Sequence, residues 1–242
     1  AGNNTAIGRS ALFANTTGGK NVAVGSQALT ANTTASNNTA VGYDALGANT
    51  TGTANVAIGT DSLDANTTGS FNVGIGNGAL GANTTTSNNV AVGYLSLHLN
   101  TAGYNNTAVG YDAIGDNTTG VQNAAVGYTA LSKNTSGSSN TAIGDRAAAA
   151  NTTGDNNTAC GNAALRDNST GHSLAAVGKS ALLLNSTGFS NTGVGKDALR
   201  GNTTGNYNTA VGADALTTNT ASDNTAVGFT ALQANTTGTR NV

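Results

Sequence analysis

The sequence predicts an all-β fold, a parallel β-solenoid (β-roll) built from about fourteen stacked coils of 17 residues each. Three observations predict it. The motif Asn-Thr-Ala-Val-Gly recurs every 17 residues, a few positions of this repeat hardly vary, and turn-forming residues separate the β-branched stretches. A unit this short cannot bury its own apolar side chains, so neighbouring units must stack on one another. We number the repeat positions 1 to 17 from the first asparagine of the motif and call all residues at one position a column.

The repeat continues through the whole chain of 242 residues, with the consensus N-T-A-V-G-x-x-A-L-x-x-N-T-T-G-x-x. Fourteen units begin at Asn4, Asn21, Asn38, Asn55, Asn72, Asn89, Asn106, Asn123, Asn140, Asn157, Leu174, Asn191, Asn208 and Asn224. Every step is 17 residues except the 16-residue step from Asn208 to Asn224, and a fifteenth unit begins at Asn241. Because the composition is uniform, we expect residues 1–242 to form a single tandem-repeat domain. Methionine is absent and both ends lie inside the repeat, so we also expect a piece of a longer protein.

Each unit contains one predicted strand and two predicted bends. The Thr-Ala-Val stretch at positions 2 to 4 is rich in β-branched residues, which favour strands. The glycine at position 5 permits a bend that residues with a Cβ atom tolerate poorly. The Asn-Thr-Thr-Gly stretch at positions 12 to 15 is typical of a turn, because asparagine bonds the local backbone and glycine accepts positive φ.

Four columns barely vary, and we predict that they face the interior or a neighbouring coil. Position 5 is always glycine, position 12 is always asparagine, position 4 is Val or Ile except at Cys160, and position 9 is Leu except at Ile114 and Ala148. Cys160 is therefore predicted to be a small core residue. The predicted structural ladders include Asn15, Asn32, Asn49, Asn66 and Asn83, glycines Gly8, Gly25, Gly42 and Gly59, and leucines Leu12, Leu29 and Leu46.

The asparagine column is predicted to be a ladder of side-chain amides, each bonded to the next coil. Glycan attachment and ligand contact remain alternatives, because twelve of the fourteen asparagines at position 12 begin an Asn-x-Thr or Asn-x-Ser sequon. Asn100 and Asn219 do not, since an alanine follows two residues later.

The predicted core is thin, since each coil supplies only two large apolar residues and the single cysteine cannot form an internal disulfide. We therefore predict self-association, with the alanine-rich strand faces of a parallel trimer packed around a common axis.

Residues 38–52 (NTAVGYDALGANTTG) and 224–238 (NTAVGFTALQANTTG) resemble repeats of bacteriophage tail-fibre-like and bacterial surface-fibre proteins. They are more distantly similar to the head repeats of trimeric autotransporter adhesins, whose Asn-Ser-Val-Ala-Ile-Gly-like motif has a shorter period. The resemblance implies a trimeric parallel β-solenoid fibre that attaches to cells or surfaces and is extracellular, on a cell surface or on a virion. It transfers no binding residues.

The composition excludes several function classes. The net charge is −2 and the nine basic residues are scattered, so nucleic-acid binding is not expected. No run of 18 apolar residues exists, so membrane insertion is not expected either. No phosphate-binding motif occurs, and we predict no cofactor, metal or catalytic site, because a regular array lines up like residues rather than bringing unlike ones together.

The titratable side chains support this interpretation. His98 and His172 occupy different columns, so we predict two isolated, solvent-exposed residues. Aspartates recur at position 7, but other residues interrupt the column, so solvated surface charge is predicted rather than a calcium ladder. These aspartates are Asp44, Asp61, Asp112, Asp197 and Asp214.

The predicted function is the non-catalytic structural shaft of a fibre or adhesin. Aromatic residues at position 6 are predicted to contact a cell-surface or glycan receptor through repeated weak sites. They are Tyr43, Tyr94, Tyr111, Tyr128 and Phe229. The alternative is an ice-binding β-solenoid with a threonine-rich face. Its weakness is that column 2 lacks threonine at Val22, Val56, Val73, Val90, Ala124 and Ala175.

Overall fold

The structure, a computed structural model, describes residues 2–242. In this range every repeat unit contains one strand of three residues, and there is no helix. The strands are β1 (Thr5–Ile7), β2 (Val22–Val24), β3 (Thr39–Val41), β4 (Val56–Ile58), β5 (Val73–Ile75), β6 (Val90–Val92), β7 (Thr107–Val109), β8 (Ala124–Val126), β9 (Thr141–Ile143), β10 (Thr158–Cys160), β11 (Ala175–Val177), β12 (Thr192–Val194), β13 (Thr209–Val211) and β14 (Thr225–Val227). The predicted all-β solenoid of stacked 17-residue coils is confirmed.

The chain divides into two compact units, Ala1–Gln122 with β1 to β7 and Asn123–Val242 with β8 to β14. Within each unit, every strand pairs in parallel with the strand of the next coil, shifted by one repeat. The shorter step keeps this register, because Thr209 pairs with Thr225. Like residues therefore lie above one another within a unit.

The interior of each coil is formed by columns 3, 8 and 9. Ala40 at position 3, Ala45 at position 8 and Leu46 at position 9 are fully buried, as are their counterparts in most other coils. Successive strand residues point to opposite sides, so the buried alanine at position 3 places positions 2 and 4 on the outside.

The prediction that column 4 faces the interior is wrong. Ile143 and Val177 are exposed, and so is Cys160, which was predicted to lie in the core. The reason is that a three-residue strand points only its central side chain inward. For the same reason the alanine-rich faces predicted to pack around a trimer axis lie inside each coil, where no partner can reach them.

The leucine column lies in an unusual backbone conformation. Leu29 and Leu46 have φ of 51° and 55°, in the left-handed region, and position 7 shares it, as in Gln27 with φ of 66°. This conformation costs a residue with a Cβ atom about 1–2 kcal/mol. Full burial of a leucine side chain contributes about 1.5–3 kcal/mol, which offsets that cost. The bend at positions 6 to 9 is therefore stable because it places the leucine side chain inside the coil.

The glycine column has a steric cause. Glycines at position 5 have φ between 127° and 144°, a region that side chains rarely tolerate. A Cβ atom on Gly8 would also lie only 2.5 Å from the carbonyl oxygen of Gly25 in the next coil. A larger residue at position 5 of the coils from Gly8 to Gly212 would therefore push neighbouring coils apart.

Candidate functional site

The polar side chains of this chain are arranged in columns rather than around a pocket. The column of asparagines at position 12 is buried. Asn49 Nδ2 donates to Asn32 Oδ1 of the preceding coil at 3.1 Å and to the carbonyl oxygen of Gly52 at 3.0 Å. Asn32, Asn66 and Asn83 make the same pair of bonds, to the preceding asparagine and to the carbonyl at position 15 of their own coil. Each of these four asparagines is fully buried.

This burial bears on the glycan alternative for column 12. A glycan would be attached at Nδ2, the atom that donates both hydrogen bonds inside the coil. The folded coil has no space for such a group, and it presents no free amide at position 12 of Asn32 to Asn83 for a ligand.

A second asparagine ladder lies at position 1, which the sequence analysis did not identify. The backbone N–H of Asn38 donates to Asn21 Oδ1 at 2.9 Å, and Asn38 Nδ2 donates to the carbonyl oxygen of Gly52 at 2.8 Å. The signal was present, because thirteen of the fourteen units begin with asparagine. Leu174 is the exception, and it offers no amide oxygen to the coil that follows.

The two ladders close every coil at one point, except the coil that begins at Leu174. The Gly52 carbonyl oxygen accepts from both Asn38 and Asn49, so the side chains at positions 1 and 12 hold the turn at position 15 between them. Each buried hydrogen bond contributes about 0.5–1.5 kcal/mol net. Side-chain amides therefore supply stability that the thin apolar interior does not.

The 16-residue step interrupts the ladder at position 12. Asn219 Nδ2 donates to the Ala221 carbonyl oxygen at 2.8 Å, and the buried Asn202 Oδ1 below it has no hydrogen-bond partner. The ladder resumes one coil later, where Asn235 Nδ2 donates to Asn219 Oδ1 at 2.7 Å. Over residues 2–242, Asn202 Oδ1 is the one buried side-chain polar atom left unpaired.

Columns 2 and 4 form the outward side of the strands, which we call the strand face. Column 2 contains Thr, Val or Ala, and column 4 contains Val, Ile or Cys160, so neither carries a charge. In the second unit the apolar residues of column 4 are 36% to 71% exposed. They are Val126, Ile143, Val177, Val194, Val211 and Val227. Column 4 of this unit is thus an exposed apolar stripe, and the uncharged column 2 beside it is mostly threonine.

The aromatic residues at position 6 are exposed, and two of them stack on each other in the first unit. Tyr94 and Tyr111 stack with ring centroids 5.4 Å apart and planes at 18°. Tyr43 is followed by Thr60 and Asn77 in the next two coils, so its column is interrupted. Tyr128 and Phe229 lie in the second unit, in its first and last complete coils, and are also exposed.

A second aromatic group lies at positions 16 and 17 of the second unit. His172 stacks on Phe189 of the next coil at 5.0 Å and 10°, and Phe189 meets Tyr207 edge to face at 5.2 Å. His172 is exposed as predicted, but it is not isolated. The repeat alignment contained this signal, because His172 and Phe189 share position 16.

A cleft of about 360 Å³ interrupts the first unit where Gly78 and Gly81 lack side chains. The His98 side chain lies against the cleft, with its Nδ1 3.1 Å from the Gly78 carbonyl oxygen. This histidine is therefore half-buried, whereas it was predicted to be exposed. Asp61 and Asp64 line the opposite side. Within residues 2–242, no group of three or more His, Cys or Asp side chains is placed to hold a metal ion.

The aspartates at position 7 have a backbone cause. Asp44 and Asp61 have φ of 52° and 53°, and aspartate tolerates this left-handed region better than most residues. They are half-buried rather than fully solvated as predicted, and burial, together with the neighbouring charge of Asp61, raises the pKa of Asp44. Burial also raises the pKa of Asp64.

The described part of the chain, residues 2–242, contains no helix long and apolar enough to cross a membrane. No known protein family, curated protein or solved structure matches the chain significantly.

Proposed function

We propose that the chain is the structural shaft of an extracellular or virion fibre or adhesin, used for surface attachment and without catalysis of its own. The observation that carries this proposal is the hydrogen bonding between successive coils, which is repeated with little change along each unit. A stack of this kind resists separation because all the bonds that join two coils must be broken to part them.

The third and fourth coils illustrate the point. Backbone N–H groups of the third coil donate to the fourth at several positions, and groups of the fourth donate back to the third. The N–H groups of the third coil that donate to carbonyl oxygens of the fourth include those of Thr39 to Asn55, Leu46 to Ser62, Ala48 to Asp64 and Thr50 to Thr67. The N–H groups of the fourth coil that donate to the third include those of Gly59 to Val41, Asp61 to Tyr43 and Phe71 to Thr53. Asn66 and Asn55 add bonds from the two asparagine ladders. The coils are therefore joined around most of their circumference.

Attachment through many weak contacts suits the exposed aromatic residues. The stacked Tyr94 and Tyr111 in the first unit, and His172 with Phe189 in the second, place pairs of rings at the surface. Several weak sites on one chain bind with higher avidity than any single site. We propose a cell-surface molecule or glycan as the receptor.

Pulling the chain from its two ends tests the proposed shaft function. Releasing one coil of 17 residues adds about 60 Å of extended chain. We expect force-extension curves with abrupt steps in multiples of that length. Smooth extension at low force, as for a flexible polymer, would remove the basis of the proposal.

Ice binding is the second candidate, and one observation favours it. Columns 2 and 4 lie on the same outward side of the strands, and eight of the fourteen residues in column 2 are threonine. Column 4, however, has no hydroxyl group in any coil. Thermal hysteresis distinguishes the two functions: clear activity at micromolar protein would favour ice binding, and its absence is expected of a shaft.

A further inference from the structure

We propose that the strand face is a self-association surface, on which the strand face of a second copy of the chain packs. The inference deepens the proposed function, on which it rests, by naming the partner and the surface that joins them. It differs from the trimer predicted from the sequence, because it places Val and Ile of column 4 at the contact instead of the buried alanines.

The apolar side chains of column 4 are exposed in the second unit. Val177, Val194 and Val211 are β-branched, apolar and at least 36% exposed on successive coils of the second unit. In the first unit Ile7 and Ile58 are exposed and the other residues of column 4 are half-buried. A continuous apolar stripe of this kind is typical of a contact surface, whereas scattered exposed apolar residues are not.

The charged side chains are restricted to a few positions of the repeat. All twenty charged side chains lie at positions 6, 7, 10, 11, 16 or 17, and none lies on the strand face. Threonine occurs in column 2 but never in column 4. Strand preference alone would admit threonine at both positions. The absence of hydroxyl and charged groups from an exposed column is explained if that column is covered by another apolar surface.

The regular spacing of column 4 fits a second copy of the chain as the partner. The strands are paired in register, so the side chains of column 4 recur at the strand spacing of about 4.8 Å. A second copy has the same spacing, and its column 4 side chains can therefore fit between these along the stack. Two such faces pack about 10 Å apart, as in a β-sandwich. A partner without the repeat would match over only a few coils.

The strand face of one unit has the area of a weak interface. Seven strands of three residues cover about 34 Å by 10 Å, or about 340 Å² per unit. This is less than half of the roughly 800 Å² per partner in a standard protein interface. We therefore expect weak association that is detected only at high protein concentration.

Sedimentation equilibrium of the full chain at about 100 μM tests the surface. The wild-type chain, of 23.4 kDa, is expected to sediment as two copies or more. The triple variant Val126→Lys, Val177→Lys and Val211→Lys places three charges on the strand face of the second unit, on coils that are not adjacent. We expect its dissociation constant to rise at least 100-fold.

The matched control is Thr153→Lys, Thr187→Lys and Thr204→Lys, which adds the same charge at exposed sites of position 14 in the same unit. It is expected to associate like the wild type, and circular dichroism checks that both variants are folded. A wild-type monomer, an associating face variant, or equal dissociation of the control would each overturn the proposal.

Cys160 gives an independent test on the unmodified chain, because it lies on the strand face and is exposed. Its alkylation rate should fall as the concentration rises through the range of association. A constant rate in an associating sample would show that another surface is used and overturn the proposal. A monomer that still releases coils stepwise under force would also overturn it, yet leave the shaft function intact.

Discussion

The asparagines at position 12 have different surroundings in a regular coil and at the 16-residue step. In the regular coil, Asn66 donates to Asn49 Oδ1 and to the Gly69 carbonyl oxygen, both at 3.0 Å, and accepts from Asn83. At the shorter step, Asn202 Oδ1 is buried and unpaired. The strands keep their register there, so the turn after Asn219 absorbs the missing residue. The turn can therefore vary in length, but the shorter turn leaves one hydrogen bond of the position 12 ladder unformed.

The largest expected effect is that of removing a complete ladder amide. Asn66→Ala removes three hydrogen bonds and leaves buried groups on Asn49 and Asn83 with one partner fewer, so we expect the free energy of unfolding to fall by about 3 kcal/mol. Asn202→Ala removes only two bonds, to Asn185 and Gly205, and also the unpaired oxygen. It should cost about 1–2 kcal/mol. Urea denaturation measures both, and the exposed Thr68→Ala is the control. Equal losses would contradict the comparison.

Restoring the missing residue should have an effect of opposite sign. Insertion of one glycine after Ala221 returns this step to 17 residues and lets Asn219 Nδ2 reach Asn202 Oδ1, so we expect a gain of about 1–2 kcal/mol. The same insertion after Gly69, in a regular turn, should destabilise the chain. Melting temperatures of the two insertion variants provide the measurement. Destabilisation by both would show that the short turn is not a defect.

Leu174→Asn repairs a different irregularity, the missing amide at position 1. The variant gains an acceptor for the Asn191 N–H and a donor for the Gly188 carbonyl oxygen, worth about 1 kcal/mol each. It loses the burial of a leucine side chain, worth about 1.5–3 kcal/mol. The two terms nearly offset, so we expect a change within about 1 kcal/mol by urea denaturation. A loss above 3 kcal/mol would show that the ladder does not extend to this coil.

The smallest effect concerns pH in the regular third and fourth coils. Burial raises the pKa of Asp44 and Asp64 in the folded state above 3.8, so the folded chain binds protons more tightly than the unfolded chain. Their favourable contribution is complete below pH 3.8 and is lost as the pH rises through the raised values. Asp44→Asn should therefore stabilise slightly at pH 7 and not at pH 3. Destabilisation at pH 7 would contradict this sign.

Much of the fold follows from the repeat alone. The period, the strand at positions 2 to 4 and the bend at Gly42 and its counterparts were predictable, because they depend on local preferences that fourteen units repeat. The outward direction of the Val177 side chain was not predictable, because the sequence Ala-Ala-Val does not show that only the central residue of this strand points inward. The left-handed leucines were not predictable either, since this conformation is unfavourable for leucine in isolation and exists only because the coil buries Leu46.

The candidate surfaces were partly predictable for the same reason. Tyr94 and Tyr111 stack because they share position 6, and His172 and Phe189 stack because they share position 16, although neither stacking was predicted. The half-burial of His98 depends on the absence of side chains at Gly78 and Gly81 in the preceding coil. Such a contact between different columns cannot be derived from a repeat consensus.

Amide hydrogen exchange of the full chain tests most directly whether the asparagine ladders join the coils. The N–H groups of Asn38, Asn55 and Asn72 each donate to the asparagine oxygen of the preceding coil, whereas Leu174 offers none to Asn191. The account predicts slow exchange at the three asparagines and clearly faster exchange at Asn191. Equal protection at all four, or rapid exchange throughout, would contradict it.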